Sequence, residues 1–153
     1  MIRVLFVCLG NICRSPMAEA IFAHKVREAG LSEMISADSA GTADFHTGSP
    51  PHRGTIAELE RHGISWDHRA RPIRQQDTTE FDYVLAMDEL NLADLNGIKP
   101  RWAVLSKMME YASNKGCQDV PDPYYTGEFD LVYDLLDAAT AGLLREIREA
   151  HGL

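Results

Sequence analysis

The residues best able to do chemistry lie near the N-terminus, where five residues separate a cysteine from an arginine. The segment reads Cys8-Leu9-Gly10-Asn11-Ile12-Cys13-Arg14-Ser15. An apolar run from Arg3 to Val7 precedes it, and a helical pattern beginning near Pro16 follows it. A loop between a strand and a helix can turn successive backbone N–H groups toward one point, at the positive end of the helix dipole. The segment therefore predicts an anion site that fits phosphate.

The side chains of this loop predict a nucleophile and a clamp for its target. Gly10 and Asn11 suit a loop with inward amides, because both accept unusual backbone angles. The amides, the helix terminus and a guanidinium all favour the thiolate form of Cys8, and the Ser15 hydroxyl is placed to donate a hydrogen bond to its sulfur. The planar fork of Arg14 can bind two phosphoryl oxygens at once, which lysine does less well.

A less specific interpretation exists for each of these residues taken singly. Cys8 and Cys13 also fit as small buried hydrophobic residues, and Arg14 as a surface cap. The complete string between a strand and a helix favours the catalytic interpretation. A nucleotide-binding loop is excluded because no Gly-Lys-Ser or Gly-Lys-Thr follows, and a zinc finger lacks its cysteine pairs.

A second chemical group lies far along the chain, where Pro121 and Pro123 flank Asp122. The prolines are expected to keep the segment out of helices and strands, so that Asp122 is held over a site and can protonate a leaving oxygen. Tyr124 and Tyr125 are then candidates for an aromatic wall. Taken alone, the segment fits a proline-rich turn with half-buried tyrosines equally well.

Composition limits the remaining possibilities. The 153 residues suit one domain, residues 1–153, and a net charge of −8 argues against nucleic acid or a membrane surface as a partner. No apolar stretch approaches the ~20 residues of a membrane span. The N-terminus is interpreted as a buried strand rather than a signal peptide. Three cysteines, an odd number, favour free thiols in a reducing compartment, so we expect a soluble cytoplasmic protein.

Apolar runs alternate with helical patterns, which is typical of βαβ units around a parallel sheet. Ser15 is the predicted N-cap of the first helix, Pro16 its first residue and Gly30 its C-terminal signal. The last helix has an apolar stripe of Leu131, Leu135, Ala138, Ala139, Leu143 and Ile147. The predicted strands are Arg3 to Val7, Ile35 to Ser39, Tyr83 to Ala86 and Ala103 to Leu105, and the predicted helices are Pro16 to Ala29, Pro51 to His62, Glu89 to Asn96 and Phe129 to His151, with short turns near Asp77 and Lys107.

Two motifs closely resemble those of the low-molecular-weight protein tyrosine phosphatases: Val7 to Pro16, and Asp122 to Tyr125. The segments Asp38 to Thr42 and His62 to Ile64 also resemble that family, and the likeness spans the whole chain. The resemblance implies an α/β, flavodoxin-like fold with a doubly wound, four-stranded parallel sheet and helices on both faces. It implies hydrolysis of phosphotyrosine and aryl phosphate monoesters through a cysteinyl-phosphate, with inorganic phosphate as product and neither metal nor organic cofactor.

The resemblance also implies individual roles. The nucleophile falls on Cys8, the phosphate-binding arginine on Arg14, the thiolate-supporting serine on Ser15 and the general acid on Asp122. His68 matches a histidine that fastens the loop asparagine, although a histidine with ordinary structural contacts is the alternative. Phe45 falls where an aromatic residue lines the cleft, unless it only anchors its loop. The expected substrate-binding residues are Leu9, Gly10, Asn11, Ile12, Cys13, Ser15, Phe45, Tyr124 and Tyr125.

Two other functions are alternatives to a phosphatase for this loop. An arsenate reductase of the same fold needs a further cysteine pair, whereas only Cys117 lies beyond the loop. A phosphotyrosine-binding module needs neither a thiol below the phosphate nor an acid above it. We expect a monomer or weak dimer, and a disulfide between Cys8 and Cys13 under peroxide. The alternative for Cys13 is a packing role, and Cys117 has no predicted role.

Overall fold

A computed structural model describes residues 1–98 and 103–153. Its centre is one parallel sheet of four strands in the order β2-β1-β3-β4. Residues Val4 to Val7 of the first strand are completely buried, as expected for a strand covered on both faces. The strands are β1 (Ile2–Cys8), β2 (Ile35–Gly41), β3 (Tyr83–Ala86) and β4 (Val104–Lys107).

Helices cover both faces of this sheet, which confirms the predicted doubly wound α/β fold. Alternate side chains of β1 point to opposite faces. Val4 and Phe6 pack in the larger core, with α1 and α6, whereas Leu5 and Val7 pack in the smaller core beside Leu95 of α4. The helices are α1 (Arg14–Glu28), α2 (Arg53–Arg61), α3 (Asp77–Glu80), α4 (Glu89–Leu95), α5 (Pro123–Thr126) and α6 (Phe129–His151), with 3₁₀ segments at Asn96–Ile98 and Met108–Lys115.

The start of α1 differs from the prediction. The helix begins at Arg14, its N-cap is Cys13, and Pro16 is its third residue rather than its first. Ser15 is not the cap, because its hydroxyl oxygen contacts side chains of the preceding loop instead of a backbone N–H of the helix. The end agrees with the prediction: Gly30 follows the helix with a φ of 73°.

Other boundaries move by one or two residues, since local patterns fix element ends poorly. Strands β1 and β2 are longer than predicted, and β4 lies one to two residues later. His52 caps α2, which starts at Arg53. The segment after Asp122 is not free of helix, because Pro123 opens the one-turn helix α5.

Helix α6 has the predicted limits and packs its apolar stripe against α1 and the sheet. Leu131 is an exception to the predicted stripe, since it is 40% exposed. Gly142 permits a close approach to the 3₁₀ segment, because a Cβ there would lie 2.0 Å from the carbonyl oxygen of Tyr111. Within the two described ranges, no helix is long and apolar enough to cross a membrane.

Candidate active site

The loop Cys8 to Arg14 joins the carboxyl end of β1 to the first residue of α1. It lies where the strand order reverses, the usual position of ligand sites in open α/β sheets. Asn11 has a φ of 58°, the left-handed geometry expected of this loop. Its backbone N–H donates to Cys8 Sγ at 3.3 Å. The backbone at Leu9 and Gly10 therefore curves around the sulfur. Cys8 is only 3% exposed.

A second hydrogen bond reaches the sulfur from Ser15, whose Oγ lies 3.0 Å from Cys8 Sγ. Asn11 Nδ2 donates to the same Ser15 oxygen at 2.8 Å and to Ser39 Oγ at 3.0 Å. Because the Ser15 oxygen already accepts from the amide, its own proton is directed toward the sulfur. Two hydrogen-bond donors, Asn11 N and Ser15 Oγ, are therefore directed at the sulfur.

The orientation of the Asn11 amide is fixed at its other end. Asn11 Oδ1 lies 2.8 Å from His68 Nε2 and accepts the backbone N–H of Arg71 at 3.0 Å. Since Oδ1 can only accept, His68 Nε2 carries a proton. The structure thus brings His68 to the loop asparagine, the contact that the family resemblance implied.

Glu19 lies beneath this network, buried among polar side chains. It accepts hydrogen bonds from Ser39 Oγ at 2.5 Å and from Trp66 Nε1 at 2.8 Å. Its Oε1 also lies 3.4 Å from His68 Nδ1. Burial raises the pKa of Glu19 to about 7 and lowers that of His68. Burial thus disfavours the charged form of both side chains.

Arg14 is held from one side by Asp88, with Nη1 to Oδ2 at 2.6 Å, and by the carbonyl oxygen of Val120 at 3.0 Å. Asp88 is itself fixed as the N-cap of α4. Burial alone would lower the pKa of Arg14, but the Cys8 charge and the Asp88 hydrogen bond raise it. Among the described residues, the buried Arg14 Nε has no hydrogen-bond partner. The guanidinium is therefore charged and anchored through Nη1, whereas its Nε has no partner among the described residues.

Asp122 lies next to the guanidinium, with Oδ2 3.4 Å from Arg14 Nη2. Its other oxygen accepts the N–H of Tyr124 at 3.1 Å, because Asp122 is the N-cap of α5. The segment is tied to the sheet by a hydrogen bond from Val120 N to Met87 O. These contacts place a partly exposed carboxyl over the loop, although Asp122 and Arg14 are 108 positions apart.

A cleft of about 180 Å³ opens above the loop. This is small beside the ~300–1,000 Å³ typical of sites for larger organic ligands, so it suits a compact group. Three aromatic side chains stand at its mouth and are 74%, 52% and 77% exposed, in the order Phe45, Tyr124 and Tyr125. The other lining residues are Cys8, Leu9, Gly10, Ile12, Cys13, Arg14, His46 and Asp122.

Asn11 and Ser15, both expected to bind substrate, do not line this cleft. Their side chains lie below the loop and contact each other, Cys8 and Ser39 instead. Sequence reasoning did not identify Asp88 or His46. Asp88 could have been found, since it follows the buried strand β3, whose carboxyl end must meet that of β1 in a parallel sheet.

One cluster of possible metal ligands lies among the described residues, although the family resemblance implies no metal. Glu19, Asp38 and His68 bring ligand atoms within 4.8 Å of one another. Hydrogen bonds from Ser39 and Trp66 already occupy both Glu19 oxygens. Asp38 is paired with the Arg71 guanidinium at 3.0 Å. A cation would have to compete with that permanent charge, so the cluster fits a hydrogen-bond network better than a metal centre.

A buried thiol and a guanidinium on one strand–loop–helix unit, with a carboxyl above them, define the class of cysteine-dependent phosphatases. The family model described as low molecular weight phosphotyrosine protein phosphatase matches residues 3–152. The chain belongs to this family and is a protein-tyrosine phosphatase. These matches confirm the predicted family and the predicted phosphatase activity.

Individual relatives agree with this assignment. The chain is 46% identical over 152 residues to the low molecular weight protein-tyrosine-phosphatase YfkJ of Bacillus subtilis, covering 97% of each protein. It is 42% identical over 145 residues to PtpA of Staphylococcus epidermidis, covering 94% of this chain and 92% of that one. The crystal structure of YfkJ superposes with a TM-score of 0.95 at 45% identity, covering 99% and 97% of the chains. That of the Entamoeba histolytica protein tyrosine phosphatase gives 0.93 at 34% identity, with 98% and 99% coverage.

Proposed function

We propose that this phosphatase hydrolyses phosphotyrosine in proteins and related aryl phosphates, with Cys8 as nucleophile, Arg14 as phosphate clamp and Asp122 as general acid. The observation that carries the proposal is the convergence of these three groups on one cleft. Cys8 Sγ receives hydrogen bonds from Asn11 N and Ser15 Oγ at its base. Arg14 and Asp122 line the walls above it.

In the first step, the Cys8 thiolate attacks phosphorus. A bond forms between sulfur and phosphorus while the bond from phosphorus to the phenolic oxygen breaks, and Asp122 gives its proton to that oxygen. Charge spreads over the three equatorial oxygens in the transition state. The unpartnered Nε of Arg14 and its Nη2 are the donors available for these oxygens.

In the second step, water attacks the phosphocysteine. The Asp122 carboxylate accepts a proton from the water, the bond between sulfur and phosphorus breaks, and inorganic phosphate leaves. The Cys8 thiolate is regenerated as leaving group. Its two hydrogen bonds favour departure as well as attack, because both steps have the anionic sulfur at one end.

The shape of the cleft supports an aromatic ester as substrate. Cys8 lies at the bottom, almost fully buried, while Phe45, Tyr124 and Tyr125 rise at the mouth. A phenyl ring spans the distance between sulfur and solvent and contacts these side chains, whereas a short phosphoserine side chain would bring its peptide backbone against them. Aromatic contacts of this kind add ~0.5–1.5 kcal/mol.

A reducing compartment, and hence the cytoplasm, belongs to the same proposal. The mechanism needs Cys8 as a free thiol, and Cys8, Cys13 and Cys117 are all unpaired in the described part of the chain. A disulfide at Cys8 would remove the nucleophile. Thiols persist where glutathione and thioredoxin keep them reduced.

The deciding experiment compares Cys8→Ser with Cys117→Ser. Cys117 is a partly buried cysteine that does not line the cleft, so it is a matched control. With p-nitrophenyl phosphate we expect no turnover from Cys8→Ser and wild-type turnover from Cys117→Ser. Phosphate should still inhibit or bind Cys8→Ser, since Arg14 is intact. Acid quenching of the wild-type enzyme should trap one phosphoryl group on the peptide containing Cys8. Substantial hydrolysis by Cys8→Ser would remove Cys8 from the mechanism.

A further inference from the structure

Arg71 lies on the side of the catalytic loop opposite the cleft, in the segment between α2 and α3. Its guanidinium is held by two carboxylates: Asp77 of α3, at 2.9 and 3.3 Å, and Asp38 of β2, at 3.0 Å. Asp77 is almost completely buried, with a side-chain exposure of 1%. Burial alone would lower the pKa of Arg71, but the hydrogen bond to Asp77 and the charge of Asp38 raise it. The guanidinium is therefore charged, and a carboxylate holds it on each of two sides.

The backbone of the same residue is fixed as well. The carbonyl oxygen of Arg71 accepts the N–H of Gly41, the last residue of β2, at 2.8 Å. Ile73 N donates back to the Gly41 carbonyl at 2.8 Å. Next to these two bonds, the N–H of Arg71 donates to Asn11 Oδ1 at 3.0 Å. The anchored side chain and the strand pairing thus aim one backbone donor at the asparagine of the catalytic loop.

We propose that Arg71 is a positioning residue for phosphoryl transfer, which fixes the Asn11 amide through its backbone N–H and so directs the Ser15 hydroxyl to Cys8. This role rests on the proposed function of Cys8 as nucleophile. It extends the site by a residue that contacts neither the substrate nor the reacting atoms.

The polarity of the hydrogen bonds carries the argument. If the Asn11 amide were reversed, Nδ2 would face the Arg71 N–H, and two donors cannot pair. Oδ1 would then face Ser15, whose hydroxyl would donate to it instead of to Cys8 Sγ. The Arg71 N–H is always a donor, whereas His68 Nε2 is a donor only when the ring carries a proton on that nitrogen. The Arg71 N–H therefore selects the amide orientation that leaves the Ser15 proton for the sulfur.

The alternative is that Arg71 only ties α3 to the sheet. Both roles predict a loss of stability when the guanidinium is removed, so stability cannot separate them. A positioning role also predicts a smaller thiolate population and a slower chemical step. The charged and titratable groups that face Cys8 from the loop, α1 and the acid segment are Cys13, Arg14 and Asp122, with His46 at the cleft wall. A substitution at residue 71 leaves these groups in place, but it removes a charge that lowers the pKa of both Glu19 and His68. Arg71→Lys keeps that charge and so separates it from the position of the backbone N–H.

The test uses Arg71→Met, with Arg71→Lys and Asp77→Asn as milder changes. Arg69→Met is the matched control, because Arg69 lies two residues earlier in the same segment and is exposed. For each variant we measure kcat and KM with p-nitrophenyl phosphate, and the rate of Cys8 alkylation by iodoacetate at about pH 5.5 and about pH 9. The ratio of the two alkylation rates reports the thiolate population.

We expect Arg71→Met to lower kcat roughly tenfold with KM changed by less than about twofold, and to lower the alkylation ratio similarly. Arg71→Lys should recover part of both effects, Asp77→Asn should show them more weakly, and Arg69→Met should show neither. Unchanged kcat and alkylation ratio, with only a lower unfolding midpoint, would overturn the proposal. If Arg71→Met does not fold, the same readouts on Arg71→Lys and Asp77→Asn decide. The proposed function fails separately, if Cys8→Ser retains turnover.

Discussion

Replacing Asn11 with alanine should reduce stability and catalysis together, since this one side chain joins the loop to its support. Asn11 is 1% exposed and has a φ of 58°. Its amide makes four hydrogen bonds, donating to Ser15 and Ser39 and accepting from His68 and Arg71. Alanine loses all four and keeps a Cβ in left-handed geometry.

The size of the effect follows from two contributions. Left-handed geometry costs a residue with a Cβ ~1–2 kcal/mol, but asparagine already bears part of this cost, so the change to alanine adds only the remainder. The buried donors of His68 and Arg71 lose their acceptor, at ~1–3 kcal/mol each. The free energy of unfolding of Asn11→Ala should therefore fall by about 4 kcal/mol, a large part of the ~5–15 kcal/mol available to a domain.

Asn11→Gly separates the two contributions, because glycine accepts the left-handed geometry but also lacks the amide. Urea unfolding should show Asn11→Gly to be more stable than Asn11→Ala by about 1 kcal/mol. Both variants should lose kcat to a similar extent, since neither orients Ser15. The reasoning is refuted if alanine is as stable as glycine, or if either variant keeps the kcat of the wild type.

Three further predictions concern neighbouring groups. Asp122→Asn should slow hydrolysis by ~10²–10⁴-fold for esters with poor leaving groups and less for activated aryl esters; equal losses across a leaving-group series would mean that Asp122 only positions the substrate. Burial raises the pKa of Cys13 to about 12, so peroxide should oxidise Cys8 rather than Cys13 to a sulfenic acid. The Cys13 thiol should then condense with this sulfenic acid, releasing water and forming a disulfide. Dithiothreitol should then restore the wild type but not Cys13→Ala, and equal recovery or no linkage by mass spectrometry would exclude this role. Although burial opposes it, hydrogen bonds from Arg71 and Arg74 lower the pKa of Asp77. Ionised Asp77 therefore stabilises the folded protein above about pH 4, and this stabilisation is lost as the pH falls through the pKa of Asp77 in the folded state. Asp77→Asn should cost about 2–3 kcal/mol at neutral pH and converge with the wild type in acid, and a constant difference in urea unfolding would show that ionisation is not involved.

Sequence alone predicted the loop well because its information is local. The spacing of Cys8 and Arg14 between a strand pattern and a helix pattern fixes the unit that binds an anion. The same local reasoning failed one residue further on, at Ser15. Serine is a common N-cap, but here the hydroxyl contacts Cys8 and Asn11, and Cys13 takes the cap position. A tertiary contact thus overrides a local preference at a functional residue.

Residues that act through distant partners were not predicted. Asp88 lies 74 positions from Arg14, and Arg71 lies 60 positions from Asn11. Only the order of the strands brings them to the catalytic loop, and local patterns do not contain that order. The parallel arrangement supplies a usable rule for Asp88: a polar residue directly after a buried neighbouring strand belongs to the same edge as the loop.

In the proposed mechanism, this protein of net charge −8 binds a phosphate dianion through local hydrogen-bond donors rather than through an excess of positive charge. Arg14 faces two carboxylates and the sulfur of Cys8, so its single positive charge is more than balanced before substrate arrives. Asp88 keeps Nη1, which leaves Nε and Nη2 for the phosphoryl oxygens. The contact of Nη2 with Asp122 is long, at 3.4 Å, and phosphate can replace it. In the proposed mechanism, phosphate takes the place of Asp122 at Nη2, and the carboxyl released from this contact faces the leaving oxygen, so that the contacts of one guanidinium couple binding to the first catalytic step.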